Sequence, residues 1–546
     1  MINLGNKSIS YFCLAFFLLN ALVPMMAQDD LEQEEVQIIK NFEAQLLESE
    51  RLDLKASLPQ VDNNNRMVQY DVPSKVLNID YKTPQLKPIA MNSQEVSKIF
   101  HTYLKAGYGT PNAILAELSH HQKIDENLDL TGQFRFHRAN NKNLEHQKNS
   151  NAHFDLQSNY TAGTDALLSS NLFYHEDTDH YYGYDHDLFQ FTEEEAKQRF
   201  RTFGIASEYS NVISGSFGLN YGIGINYSRR GDVFSNKENA FIIDGNLQKN
   251  IADKHPLRLE LIADLTRYEM DDESFASQNL NNFNIKPSFT FHANKFRVDV
   301  GSNLYFLKDD FRALPFVEAA ANVVSQQLVA FAGYQSYVQK NTFHSLTDFN
   351  PYLDPNLEIF NSVNQDIYGG LKGKIRSLDY VAKVGYKTID QLPLYVNDQN
   401  DLPRFNVVTD SVSIFYLEGI VDFQILENLS FQGSLSQKIY NLENEERAWH
   451  LPALELDLSL NYKMLEDKLL LEASFFGANP IPYLNENGVR DRLNALVDFN
   501  LAASYELNEN FSFFVDGNNL VNNKRERWFM YDGFGINVLG GVSVKF

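Results

Sequence analysis

The chain has 546 residues, a single cysteine, 13% aromatic side chains and a formal net charge of −24. Cys13 lies in an N-terminal leader, so the rest of the chain has no thiol or disulfide chemistry. The acidic balance excludes the basic footprint of a nucleic-acid binder. There are 41 Phe and 28 Tyr, yet the mean hydropathy is −0.35. The apolar residues are therefore scattered, and beyond the leader no stretch of about 18 apolar residues offers a helical span.

In chain order, the leader comes first. Lys7, the apolar run Tyr11 to Leu19 and the small residue of Pro24-Met25-Met26-Ala27 form the three parts of a secretory signal. Residues 1–27 are expected to be removed on export. Residues 28–98 have a composition of their own. Asp29 to Glu50 is acidic, while Val72-Pro73 and Pro84 to Pro88 favour extended backbone. This segment reads as a short, mostly extended periplasmic arm or a strap entering a lumen.

From 99 to 546 the pattern becomes one of repeated strands. In Leu454 to Met464 the even positions Leu454, Leu456, Leu458, Leu460, Tyr462 and Met464 are apolar, and Glu455, Asp457 and Lys463 fall on the other face. Leu493 to Leu507 puts Val497, Phe499 and Leu501 against Asp498, Asn500 and Glu506. Strand side chains alternate with a period of two. A charge at nearly every other position is costly against lipid and must face water. The pattern therefore predicts an all-β fold, a transmembrane antiparallel β-barrel of about 22 strands, with 20 and 18 as the other even counts. Each strand with its connection takes about 20 residues, against the roughly 9 to 11 that a spanning strand needs. Glu455, Asp457, Lys463, Glu472, Asp498 and Glu506 are the expected lumen-lining charges. Tyr462, Tyr505, Phe511, Phe513 and Trp528 are the expected interfacial girdle residues.

Ile124 to Leu128, Ile425 to Leu429 and Leu507 to Phe511 read as short periplasmic turns. Long external loops are expected at 140–151, 175–199, 229–238, 342–363, 392–410, 440–450, 478–491 and 520–534. The 175–199 loop is expected to be the longest. It carries the densest cluster of possible ligands: His175, Asp177, Asp179, His180 and His186. Imidazole and carboxylate suit divalent metals, but the spacing matches no defined zinc or calcium pattern, and a hydrogen-bonded loop is the plainer reading. No Gly-x-Ser-x-Gly elbow occurs, and His120-His121 has no local serine. Neither an enzyme nor a cofactor is expected.

The carboxyl end reads Phe513-Phe514-Val515-Asp516-Gly517-Asn518-Asn519-Leu520-Val521-Asn522-Asn523-Lys524, then Gly533-Phe534-Gly535 and an alternating strand ending on Phe546. This resembles the last hairpin of TonB-dependent outer-membrane receptors. The whole chain resembles a shortened barrel type of that kind found in Bacteroidota, without the plug domain. Glu35-Val36-Gln37-Ile38-Ile39 is similar to the short strand through which such receptors meet their energy-coupling protein. The resemblance implies location in a Gram-negative outer membrane, with lipid around the barrel. It also implies recognition of Val542, Val544 and Phe546 by the barrel-assembly machinery. The function it implies is transport, as a passive or partner-gated channel. The alternative is a structural or assembly subunit that scaffolds lipoproteins or barrel machinery. A surface lipoprotein or a separate plug or lid protein is the expected partner.

Overall fold

The computed structural model describes residues 100–546 other than 164, 213–217, 273–275, 309, 326, 399–403 and 486. The expected signal at 1–27 and arm at 28–98, with the Glu35–Ile39 segment, lie outside the described residues.

The alternation produces one 22-stranded antiparallel sheet. Each barrel strand pairs with the next one in the chain. The first, Thr102–Gly109, pairs with the last, Asn537–Lys545, in a register running from Tyr103↔Lys545 to Gly109↔Leu539. Closure leaves the barrel without a terminal edge strand among the described residues. A separate two-stranded hairpin, Pro482–Leu484 with Arg490–Arg492, stands on one loop. Among the described residues there are two short helices, Glu193–Ala196 and Phe343–Phe349. None of the described helices is long and apolar enough to cross a membrane.

One face of the sheet is an exposed apolar belt. Ile223, Ile243, Leu261, Ile285, Val300, Ile367, Phe415, Leu435, Leu471 and Val515 all lie on it. A water-exposed patch of a few hundred Å² is already unusual for a soluble protein, and this belt runs round the whole barrel. Lipid is the solvent that makes it stable. The opposite face is polar, as Asn226, Asp244, Glu260, Lys286, Asp299 and Glu318 show along successive strands.

On that inner face, tyrosines lean over glycines of the adjacent strand. A Cβ on Gly333 would stand 2.7 Å from the ring of Tyr368, and one on Gly385 would collide with Tyr416. Each glycine lets its tyrosine lie flat on the wall. The hydroxyls then donate to Glu318 (2.8 Å from Tyr368) and Asp366 (2.8 Å from Tyr416).

The two ends differ as expected. The three turns read from sequence all lie at one end, closed by Ile124 N–H to Leu128 O and Leu507 N–H to Phe511 O, with Glu427-Asn428 as the third. The long loops share the other end. Several are narrower than the sequence suggests. His175 to His180 belongs to strand Ala166–His180, because its register with Lys197–Asn211 continues to His180↔Lys197. Likewise 392–397 and 405–410 extend strands Leu378–Asn397 and Phe405–Leu426 above the barrel wall. The loop after His180 is thereby shortened, and 342–359 and 519–536 are both longer.

Candidate functional site: the capped mouth and the inner wall

At the loop end, apolar side chains with no lipid to face turn inward. Phe200, Tyr268, Phe343, Leu346, Leu353, Leu357, Tyr395, Phe405, Trp528 and Tyr531 form one buried cluster. Its members come from all round the barrel. Phe405 opens the sixteenth strand, and its backbone pairs with the loop at Tyr352 and Asp354 (3.0 and 2.8 Å). Tyr181 follows the fifth strand, half a circumference away, and donates to Leu353 O at 3.4 Å. Tyr182 donates to Asp532 O (2.9 Å), as does the Gln147 side-chain amide (2.6 Å). The Tyr268 hydroxyl donates to Pro355 O. Tyr352 and Tyr531 stack with ring centroids 3.7 Å apart. Loops from opposite walls thus meet over the lumen and share a core. Burying each large aromatic contributes about 1.5–3 kcal/mol, so the roof is a packed element rather than a set of independent loops.

The helix Phe343–Phe349 anchors this roof. Thr342 and Ser345 form a capping box, and Phe343, Leu346 and Thr347 point into the cluster. Asp348 pairs with Arg230 (2.8 Å), whose guanidinium lies over the Phe200 ring (4.4 Å). The backbone N–H of His344 donates to Glu238 (3.2 Å). A second junction forms at His450, which is fully buried. One ring nitrogen lies 2.7 Å from Tyr395 O, and the other accepts from Phe529 N–H at 3.4 Å. Burial pushes its pKa down to about 4, and the nearby Arg527 pushes the same way.

Below the roof, several inner-wall charges are paired across strands. Arg297 meets Glu318 (2.8 Å), Lys286 meets Glu260 (3.0 Å), Lys340 meets Asp264 (2.6 Å) and Lys383 meets Asp366 (3.5 Å). The six charges read from sequence share one face. The registers Asp457↔Phe476↔Asp498 and Asn461↔Glu472 place them opposite Leu458, Phe475 and Leu471. Glu455 meets Lys438 (3.6 Å), Glu506 meets Lys545 (2.9 Å), and Asp498 meets Arg525. Lys463, opposite Leu470, lies on the same face.

The histidine-aspartate candidates separate. His175, Asp177 and Asp179 lie on one strand face and His180 on the other. His175 reaches Asp155 (3.3 Å), and Asp177 accepts from the Asn151 amide (2.7 Å) and lies 2.8 Å from a ring nitrogen of His153. His180 bonds Lys148 O (3.1 Å), and His186 bonds Tyr182 O (3.2 Å). Among the described residues no group of three or more such side chains is arranged to hold a metal.

Trp528 corrects one expectation: it lies in the roof's core, not in an interfacial girdle. The signal for the roof is the aromatic density of the loops: it is plain in the sequence from Tyr181 to Phe191, whereas Trp528 to Tyr531 reads as girdle or ordinary loop. The Asn519 motif has a clear reason. Asn519 is fully buried at φ 51°. Its side chain donates to Asn523 O and Phe534 O and accepts from Asn523 N–H, which shapes the whole last loop. At the seam, Val542 is exposed on the lipid side and Phe546 is 59% exposed. The Phe546 backbone exchanges both hydrogen bonds with Thr102 (2.8 and 3.0 Å).

The closed barrel, apolar belt and inward-packed loops define a transmembrane β-barrel of the kind found in outer membranes. No family model matches the sequence, and no curated protein matches it. Solved structures do match the fold. The FrpB iron transporter of Neisseria meningitidis superposes with a TM-score of 0.65 at 9% identity, over 83% of this chain and 82% of that one. The pyoverdine outer-membrane receptor FpvA of Pseudomonas aeruginosa gives 0.63 at 12% identity, over 83% and 79%. The ferric-catecholate import receptor Fiu of Escherichia coli K12 gives 0.61 at 10% identity, over 82% of each.

Proposed function

We propose that the protein is a transport barrel of the outer membrane, similar to TonB-dependent receptors but plugless, and partner-gated rather than passive. The observation that carries this reading is the contact between opposite walls at the mouth, where Tyr181 meets Leu353 and Arg404 lies over the Tyr181 ring at 5.5 Å. A channel that passed solutes unaided would leave its mouth open, because wide barrels otherwise enclose an aqueous lumen. A partner that binds the loops can open such a roof by as much as its affinity differs between the two states. The charges Glu455, Asp457, Lys463, Glu472, Asp498 and Glu506 would then line the route. Solute flux into proteoliposomes tests this. The wild-type barrel should be nearly silent, and Trp528→Ala with Tyr531→Ala should admit small solutes.

A second reading, a scaffold for a surface lipoprotein, draws on Leu188 and Phe189. They are 75% and 49% exposed at the tip of an otherwise acidic loop. Co-purification of a lipoprotein that Leu188→Asp abolishes, together with no flux in any cap variant, would favour it over transport.

A further inference from the structure

Strands Phe296–Phe306 and Phe311–Val324 form a short hairpin in the barrel wall. The neighbouring strand Gln278–His292 pairs with it only from Phe283↔Phe306 downward. Gln278 to Asn282 therefore rise above the hairpin, and among the described residues no strand pairs with them on that side. The space left is a notch of about 980 Å³ at the outer rim, lined by Ser277, Asn279, Asn281, Lys308 and Glu358 among others. Phe283 and Phe306 form its lower lip. The same two rings head a second cavity of about 620 Å³ on the lipid-facing side.

That second cavity is apolar. Its floor is Gly245, where an added Cβ would meet nothing nearer than the Gly222 carbonyl oxygen at 3.9 Å. In register on either side stand Ile223 and Leu261, and Leu247 lies below. The depth of the two halves is fixed by Phe306 and Phe311. Their rings are 5.0 Å apart, and they are 45% and 55% exposed. Exposed aromatics gather at headgroup level in membrane barrels. The polar notch is thus at headgroup depth and the apolar slot lies directly under it. Both volumes fall within the roughly 300–1,000 Å³ of ligand sites.

We propose that this continuous furrow binds one phosphorylated glycolipid of the outer leaflet. Lys308 takes a phosphate. Sugar hydroxyls donate to the Glu358 carboxylate and to the side-chain oxygens of Asn279 and Asn281. One acyl chain lies in the slot over Gly245. One cation beside three acceptors fits a head with both phosphate and hydroxyls, and the slot requires a chain that free phosphate lacks. The site lies outside the lumen and does not depend on the transport reading.

Native mass spectrometry of the full chain, after incubation with diphosphoryl lipid A, phosphatidylglycerol or phosphatidylethanolamine, tests the proposal. One lipid A should be retained in preference to either phospholipid. Gly245→Leu and Lys308→Ala should each lower its retention about tenfold, which corresponds to about 1.4 kcal/mol. Heat-modifiable gel migration checks that both variants still form the barrel, and Lys308→Ala, at an exposed position, decides the matter if Gly245→Leu does not. Equal retention of the phospholipids, or retention unchanged by Lys308→Ala, would overturn the proposal.

Discussion

His450 is a single side chain on which several loops depend. Its two ring nitrogens face a carbonyl, Tyr395 O, and an N–H, that of Phe529. Only the neutral ring with its proton toward Tyr395 satisfies both. A second proton would point at the Phe529 N–H with no acceptor. Its pKa is about 4 in the closed roof, against 6.5 for a free imidazole. The opened state therefore binds more protons between those values. The contribution of His450 to closure is fully present above about pH 6.5 and is lost as pH falls toward 4, by up to roughly 3 kcal/mol. Hydrogen exchange of the Phe529 amide should accelerate over that window. His450→Gln should flatten the dependence, and an unchanged profile in that variant would show that another group titrates. Neither His450 nor Trp528 was legible as a roof residue. A loop carries no period, so nothing local in the sequence separates a buried loop aromatic from an interfacial one.

Among elements, the strands were the most legible and the loops the least. The strand Leu454–Met464 has the bounds of its sequence pattern, because lipid on one side and water on the other impose a period of two on the sequence. His175 to His180 reads as loop because its His and Asp residues look solvated. They instead find partners on the paired strand, His175 at Asp155, Asp177 at Asn151 and His153, and His180 at Lys148 O. The glycine–tyrosine pairs give an element-scale test. Gly385→Val should displace Tyr416 from Asp366 and destabilise the barrel by about 1–3 kcal/mol in urea unfolding. The same change at Gly419, where a Cβ has open space, should be nearly neutral. Similar losses at both sites would show that the tyrosine contact is not the cause. At the closing strand, Phe546→Ala keeps both backbone bonds to Thr102. It should lower the yield of assembled barrel severalfold while leaving the unfolding midpoint of the assembled fraction unchanged. A shifted midpoint with normal yield would make Phe546 a packing residue rather than an assembly signal.

For the whole molecule, the barrel and its orientation of turns and loops could be read from the sequence, whereas the roof could not. The barrel is a sum of local periods. The roof is a set of contacts between residues hundreds of positions apart, such as Tyr182 with Asp532 and Gln147 with Asp532. Such contacts exist only once closure of the first strand on the last brings the two ends of the strand order side by side. In the transport reading, that roof is the barrier to passage. Single-channel conductance in a planar bilayer tests it most directly, comparing the full chain with a variant in which residues 343–358 are replaced by a short flexible linker. A closed roof predicts no unitary current from the full chain and discrete openings from the variant. Steady open-pore current from the full chain, or silence from a variant shown to be folded, would contradict it.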